Sequence, residues 1–244
     1  MLEFRGVTKK YGCITALSNI SFNVYPGEIV GLIGANGAGK TTAMRLISRF
    51  ISPDEGDIFI SGINTNSISA EQYAVSYIPD EPVYYEFMTV SEHFHFIQTL
   101  YSHNEYNADE LIMRFSLADQ MKKTPNMLSK GNKQKLMICT ALLRKFDYLI
   151  ADEPFTGLDP KQIMVFKKIL EELREKEKAI LLSTHLLNMV EQFCDRYIMI
   201  DKGMIVAYGS REEIAQTVGL DPKSNIEELY VYLTNHGYTE YHEE

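Results

Sequence analysis

Hydrophobic positions change period several times along this chain, and each change marks an element. Through residues 2–24 short apolar and polar stretches alternate, most clearly in Ile20-Ser21-Phe22-Asn23-Val24, and the turn pair Pro26-Gly27 closes the run. A period of two turns one strand face inward, so this stretch predicts edge strands of an antiparallel β region. Residues 28–33 form a compact β-branched run that leads into a glycine-rich loop, after which Met44, Ile47 and Ile51 share one helical face. This is a strand-loop-helix unit. Further apolar runs at residues 148–151, 179–182 and 197–200 are separated by helical patterns, the alternation that builds a mainly parallel sheet covered by helices. The fold class is therefore α/β.

Between residue 89 and about residue 145 strand signals fade. Thr89 and Glu92 have the spacing of a capping box, and Val90, Phe94, Ile97 and Tyr101 follow at helical intervals, which predicts a helical insert. A later helix opens at Asp159-Pro160, a capping acid followed by proline at the first helical position, with Ile163, Phe166, Leu170 and Leu173 inward.

Composition narrows the partners. The 244 residues are 45% apolar, enough for one sizeable core, and 33 acidic against 24 basic residues give a net charge of -9. That balance provides no footprint for nucleic acid. Cys13, Cys139 and Cys194 lie far apart without metal-ligand spacing, which fits a reducing cytoplasm. The first residues do not read as a secretory signal, and every apolar run is shorter than the roughly 18 residues needed to span a bilayer. If the protein serves a membrane, a separate chain must cross it.

The chemistry begins at Gly34-Ala35-Asn36-Gly37-Ala38-Gly39-Lys40-Thr41, followed by Thr42. This is a phosphate-binding P-loop: glycines let backbone N–H groups curl round phosphates, and the following helix adds its dipole. Lys40 reaches the β and γ phosphates, Thr41 ligates Mg²⁺, and Thr42 adds a phosphate contact. A second element, the apolar strand ending in Asp152-Glu153, places two carboxylates side by side; strand alternation predicts opposite directions for them. Asp152 then holds the metal while Glu153 polarises the attacking water. Kinases, GTPases and many ATPases share this pair of elements. A guanine-specifying Asn-Lys-x-Asp is missing, since Asn132-Lys133-Gln134 ends in Lys135. The run Leu128-Ser129-Lys130-Gly131-Asn132 opens another helix, and Ser129 with the nearby N–H groups predicts a second anion site.

In this order (P-loop, Leu128 to Asn132, Asp152-Glu153, then Gly157-Leu158-Asp159 and His185) the motifs resemble those of ABC ATPases along nearly the whole chain. The resemblance implies a P-loop NTPase of ABC type occupying residues 1–244 as one domain. Its catalytic core with the antiparallel region spans residues 1–88 and 146–215, the signature-bearing insert residues 89–145, and a short tail residues 216–244. It further implies that Tyr11 stacks on adenine, that His185 is the switch histidine at the γ-phosphate, and that Ser129 and Gly131 cap the nucleotide of a facing copy. ATP and Mg²⁺ are the expected cofactors. A second ATPase subunit, with two identical copies as the simplest pairing, and a separate permease at the inner face of the membrane are the expected partners. Three positions depart from the common pattern: Asp80 stands where the family places a Mg²⁺-sensing glutamine, with Glu81 as competing neighbour, and in the signature Lys130 replaces a glycine and Asn132 a glutamine. His93 and His95 lack metal-ligand company. The signature and the short tail are similar to bacterial exporters of the Ecs and peptide-antibiotic export or immunity type. An importer ATPase shares every catalytic residue and remains the alternative, ahead of a soluble ATP-switched factor.

Overall fold

Strands of the two predicted kinds segregate into two sheets. The structure, a computed structural model, describes residues 1–101, 104–185 and 187–236. Strands β1 (Leu2–Tyr11), β2 (Ile14–Val24), β4 (Glu55–Ile60) and β5 (Ile63–Asn64) form an antiparallel sheet in the order β2-β1-β4-β5. Strand β2 is an edge, but β1 is not: Leu2 faces Val24 on one side and Ile60 on the other. Alternation reports one buried face and carries no information about how many neighbours pair with the backbone.

The second sheet runs β10-β9-β3-β8-β7-β6. Strands β3 (Ile29–Ile33), β6 (Val75–Ile78), β7 (Tyr148–Asp152), β8 (Ala179–Thr184) and β9 (Arg196–Asp201) are parallel, and β10 (Met204–Gly209) adds an antiparallel edge. Every residue of β3, β7 and β8 is buried, as their unbroken apolar runs require when both faces are covered. Alternate side chains feed two cores. Val30, Leu32, Ile150 and Leu181 pack towards the antiparallel sheet and helix α1 (Lys40–Ile47), whereas Ile29, Ile33, Leu149 and Leu182 pack towards the other helices.

Helix α1 buries Met44 and Ile47 but stops before Ile51, because Ser48 caps it and Arg49 turns left-handed at φ 61°. The insert contains α2 (Val90–Leu100), α3 (Ala108–Arg114) and α4 (Lys130–Leu143). The Thr89–Glu92 capping box is formed in both directions. His93 is buried: its Nε2 accepts from the Tyr85 N–H at 3.1 Å, so Nδ1 carries the proton donated to the Thr89 carbonyl at 2.8 Å. It is a packing histidine, and His95 is exposed. Helix α5 (Pro160–Glu175) starts at Asp159 as the spacing predicts, and α6 (Leu187–Val190) and α7 (Arg211–Thr217) follow. Within the stretch 216–244, residues 226–236 form helix α8 (Ile226–His236), whose Ile226, Leu229 and Leu233 are buried; residues 237–244 lie outside the described residues. Among the described residues no helix is long and apolar enough to cross a membrane.

Candidate active site

The loop between β3 and α1 lies at the carboxyl ends of the parallel strands, where the backbone turns back under steric constraint. A Cβ on Gly34 would stand 2.5 Å from the Ile200 carbonyl oxygen, and Gly39 combines φ 115° with an approach of 2.7 Å to the Ala16 carbonyl oxygen. Only glycine fits either place. Gly39 occupies the N-cap of α1 and gives the helix no side-chain cap, so the first-turn N–H groups stay available to an anion.

Asn36, Gly37, Gly39, Lys40, Thr41 and Thr42 line a cavity of about 190 Å³, closed by Asp80, Asp152 and Glu153. Gly34 and Ala38 are buried behind the cavity and shape the loop. Lys40 is buried and its Nζ donates to the Gly34 carbonyl at 2.7 Å and to the Ala35 carbonyl at 3.3 Å. Burial lowers its pKa, while Glu153, Asp152 and Asp80 pull in the opposite direction.

Asp152 is fully buried at the end of β7, and its Oδ1 accepts a short hydrogen bond from the Ser183 hydroxyl. Its Oδ2 has no hydrogen-bond partner among the described residues. A buried carboxylate oxygen left open in the cavity that Thr41 also lines provides, with that hydroxyl, the hard oxygen donors that Mg²⁺ takes, so these residues fit that ion. Glu153 departs from the strand expectation: at φ 45° it is left-handed, and a turn separates the two carboxylates where strand pleating was expected to do so. The Glu153 N–H donates to the Ser183 carbonyl at 3.2 Å and to its hydroxyl at 3.0 Å, which holds the turn. Glu153 Oε2 then lies 2.9 Å from His185 Nδ1. Ser183 thus holds the Asp152 carboxylate and the Glu153 backbone from the neighbouring strand. No local motif announces it, since its partners are some 30 residues upstream in the chain.

Asp80 is exposed at the rim, and its carboxyl is pushed above the usual range by burial first, then by Asp152, Glu153 and Glu81, with Lys130 opposing. At pH values between its ordinary and its raised pKa, the folded chain keeps a proton that the unfolded chain has released. Its contribution to stability is present at low pH and falls as pH rises through the raised folded value. Asp80→Asn is expected to flatten that fall and, at neutral pH, to tighten Mg²⁺-free ATP binding by about three- to tenfold, the size of one partly screened charge interaction. Nucleotide titration in excess chelator measures it; unchanged affinity would mean that the carboxylate does not face the phosphates.

Ser129 and Gly131 lie outside this cavity. Ser129 is the exposed N-cap of α4, accepting from Asn132 N at 3.3 Å. Gly131 has a packing reason of its own: a Cβ there would stand 2.6 Å from the Gly157 carbonyl oxygen. Gly131→Ala is expected to cost about 1–3 kcal/mol, read as a lower urea midpoint, because backbone has to move. Tyr11 is 45% exposed beside the β1–β2 turn and does not line the cavity, to which β2 contributes Ala16.

A phosphate-shaped loop at the ends of parallel strands, with a buried acid and a carboxylate–imidazole pair at its mouth, defines a P-loop nucleotide-binding protein. The family model described as ABC transporter matches residues 17–156, more than half of the chain. The chain belongs to the ABC transporter family, as an ATP-binding subunit. It is 35% identical over 240 residues to the ABC-type transporter ATP-binding protein EcsA of Bacillus subtilis (strain 168), covering 96% of each chain. It is 32% identical to the linearmycin resistance ATP-binding protein LnrL of the same organism, covering 91% of this chain and 73% of LnrL. Among solved structures, an ATP binding subunit of an ABC transporter superposes with a TM-score of 0.90 at 35% identity, over 96% of this chain and all of the other. The dimeric post-hydrolysis structure of the cassette MJ0796 with ADP and Pi superposes with a TM-score of 0.76 at 25% identity, over 86% and 98%.

Proposed function

We propose that this chain hydrolyses ATP with Mg²⁺ and couples the turnover to substrate movement through a separate membrane permease, in the export direction. The observation that carries the reading is the Glu153–His185 pair at the mouth of the cavity that holds Lys40 and Asp152. Lys40 and the loop amides bind the phosphates, Tyr11 stacks on adenine, and Glu153 draws the proton from the attacking water while His185 orients it. Thr41, Asp152 and Asp80 would hold Mg²⁺, and the ion would supply neutralisation of phosphate charge. Ser129 and Gly131 serve the nucleotide of a second copy, a role supported by their position outside their own chain's cavity and by the dimeric relative. Residues 1–88 and 146–215 act as the catalytic core, residues 89–145 as the signature-bearing insert, and residues 216–244 as a C-terminal appendage.

A groove lined by Phe50, Tyr77, Val83, Ile97 and Met137 lies between core and insert, and Val83 in it is 80% exposed. An apolar surface of this kind suits a short helix of the permease and keeps the chain at the inner membrane face. Export is supported by the likeness to a protein named for linearmycin resistance. Two measurements test the proposal: Mg²⁺-dependent phosphate release by the purified chain, and copurification from native membranes. ATP turnover with a membrane-spanning partner is expected, whereas a chain that copurifies only with itself would overturn the transport assignment.

A further inference from the structure

The C-terminal helix reaches the phosphate loop. Helix α8 packs against α6, α7 and β10 through its buried face, and α6 begins two residues after His185. On α8, Tyr230 is half-buried, and its hydroxyl accepts the Ala35 backbone N–H at 2.8 Å, a contact across 195 residues of chain. The peptide unit that donates this hydrogen bond joins Gly34 to Ala35. Its other end, the Gly34 carbonyl, is the oxygen that accepts from Lys40 Nζ at 2.7 Å. This peptide is trans, so the unit is planar and its N–H and C=O point in opposite directions. Holding one end aims the other.

We propose that Tyr230 is a positioning residue for Lys40: by gripping the Ala35 N–H it fixes the Gly34–Ala35 peptide, and that peptide presents its carbonyl to the Lys40 ammonium. The proposal rests on the assignment of Lys40 to phosphate binding. Three points support it. Ala35 is exposed, so without Tyr230 its N–H would turn to water and leave the peptide free to swing. The Gly34 flank has no Cβ to resist such a swing, since one there would stand 2.5 Å from the Ile200 carbonyl oxygen. Lys40 is buried among backbone carbonyls and carboxylates, so its placement depends on where the loop oxygens point. Helix α8 is thereby a brace that links the segment after His185 to the loop that binds phosphate. Its seating sets ATP affinity, and the chemistry at Glu153 is left alone.

The test is Tyr230→Phe, which deletes one oxygen and keeps the ring. In the full-length protein with Mg²⁺, Kd and KM for ATP are expected to rise about three- to tenfold, the effect of one neutral hydrogen bond, with kcat at saturating ATP within about twofold. In an Ala35→Pro background, which has no N–H to donate, adding Tyr230→Phe is expected to change nothing further. Unchanged or tighter ATP binding in Tyr230→Phe would overturn the proposal. So would an equal loss in both backgrounds, or a joint fall of kcat and thermal midpoint, which marks a general loss of structure. Lys40→Ala separates this from the underlying reading: if that variant binds ATP like wild type, the phosphate assignment fails, whereas its loss of binding beside an unaffected Tyr230→Phe removes the brace alone.

Discussion

Glu153→Gln is expected to bind ATP with near wild-type affinity while hydrolysis falls by about 10²–10⁴, the usual worth of a positioned general base. The amide keeps the size of the side chain and loses the charge that draws a proton from water. It can still meet His185 across the 2.9 Å now spanned by Glu153 Oε2, and the turn itself is held by backbone contacts with Ser183 that the substitution leaves intact. The defect should therefore be chemical. If ATP closes the proposed pair of subunits and hydrolysis reopens it, the variant should accumulate as an ATP-bound dimer. Rapid-quench phosphate release and size-exclusion chromatography with ATP measure the two parts. Wild-type turnover in the variant would falsify the assignment of Glu153 as base.

The second large effect concerns where the site ends. Lys40→Ala and Ser129→Arg should each be almost inactive alone, the first through its own P-loop and the second by blocking the nucleotide of the facing subunit. Mixed, they should recover about a quarter of wild-type activity, since random pairing makes half the dimers mixed and each mixed dimer holds one intact site of two. A monomeric site predicts no recovery at any ratio. Lys40 lies inside the cavity, and Ser129 is exposed and outside it, so the two substitutions should not meet within one chain. Ser129→Arg also removes an N-cap worth about 1 kcal/mol, so its helix content should be checked by circular dichroism before mixing.

The Ala35–Tyr230 contact shows what kind of information is local and what is not. P-loop residues from Gly34 to Thr42 are legible because glycine positions, the basic residue and the hydroxyls must fall at set intervals along one turn of backbone. The capping box at Thr89 and Glu92 and the Asp159-Pro160 helix start are legible for the same reason. Tyr230 carries no such mark. It sits among Glu228, Val231 and Tyr232 in a stretch whose sequence marks only a short tail. Its role depends on the place where that helix lands.

Periodicity and motif spacing by themselves determined the α/β class, the parallel and antiparallel strand sets, the helical insert and the residues offered for phosphate, metal and water. These follow from interactions a few residues apart, where chain geometry leaves few choices. Tertiary structure alone decided that β1 is internal, that Glu153 leaves the strand in a left-handed turn, that Ser183 ties the Asp152 carboxylate to the Glu153 backbone, and that Tyr230 meets the phosphate loop. Each is a choice of neighbour between distant segments. Such choices are made by packing and by the need to pair buried polar groups, and neither leaves a period in the chain.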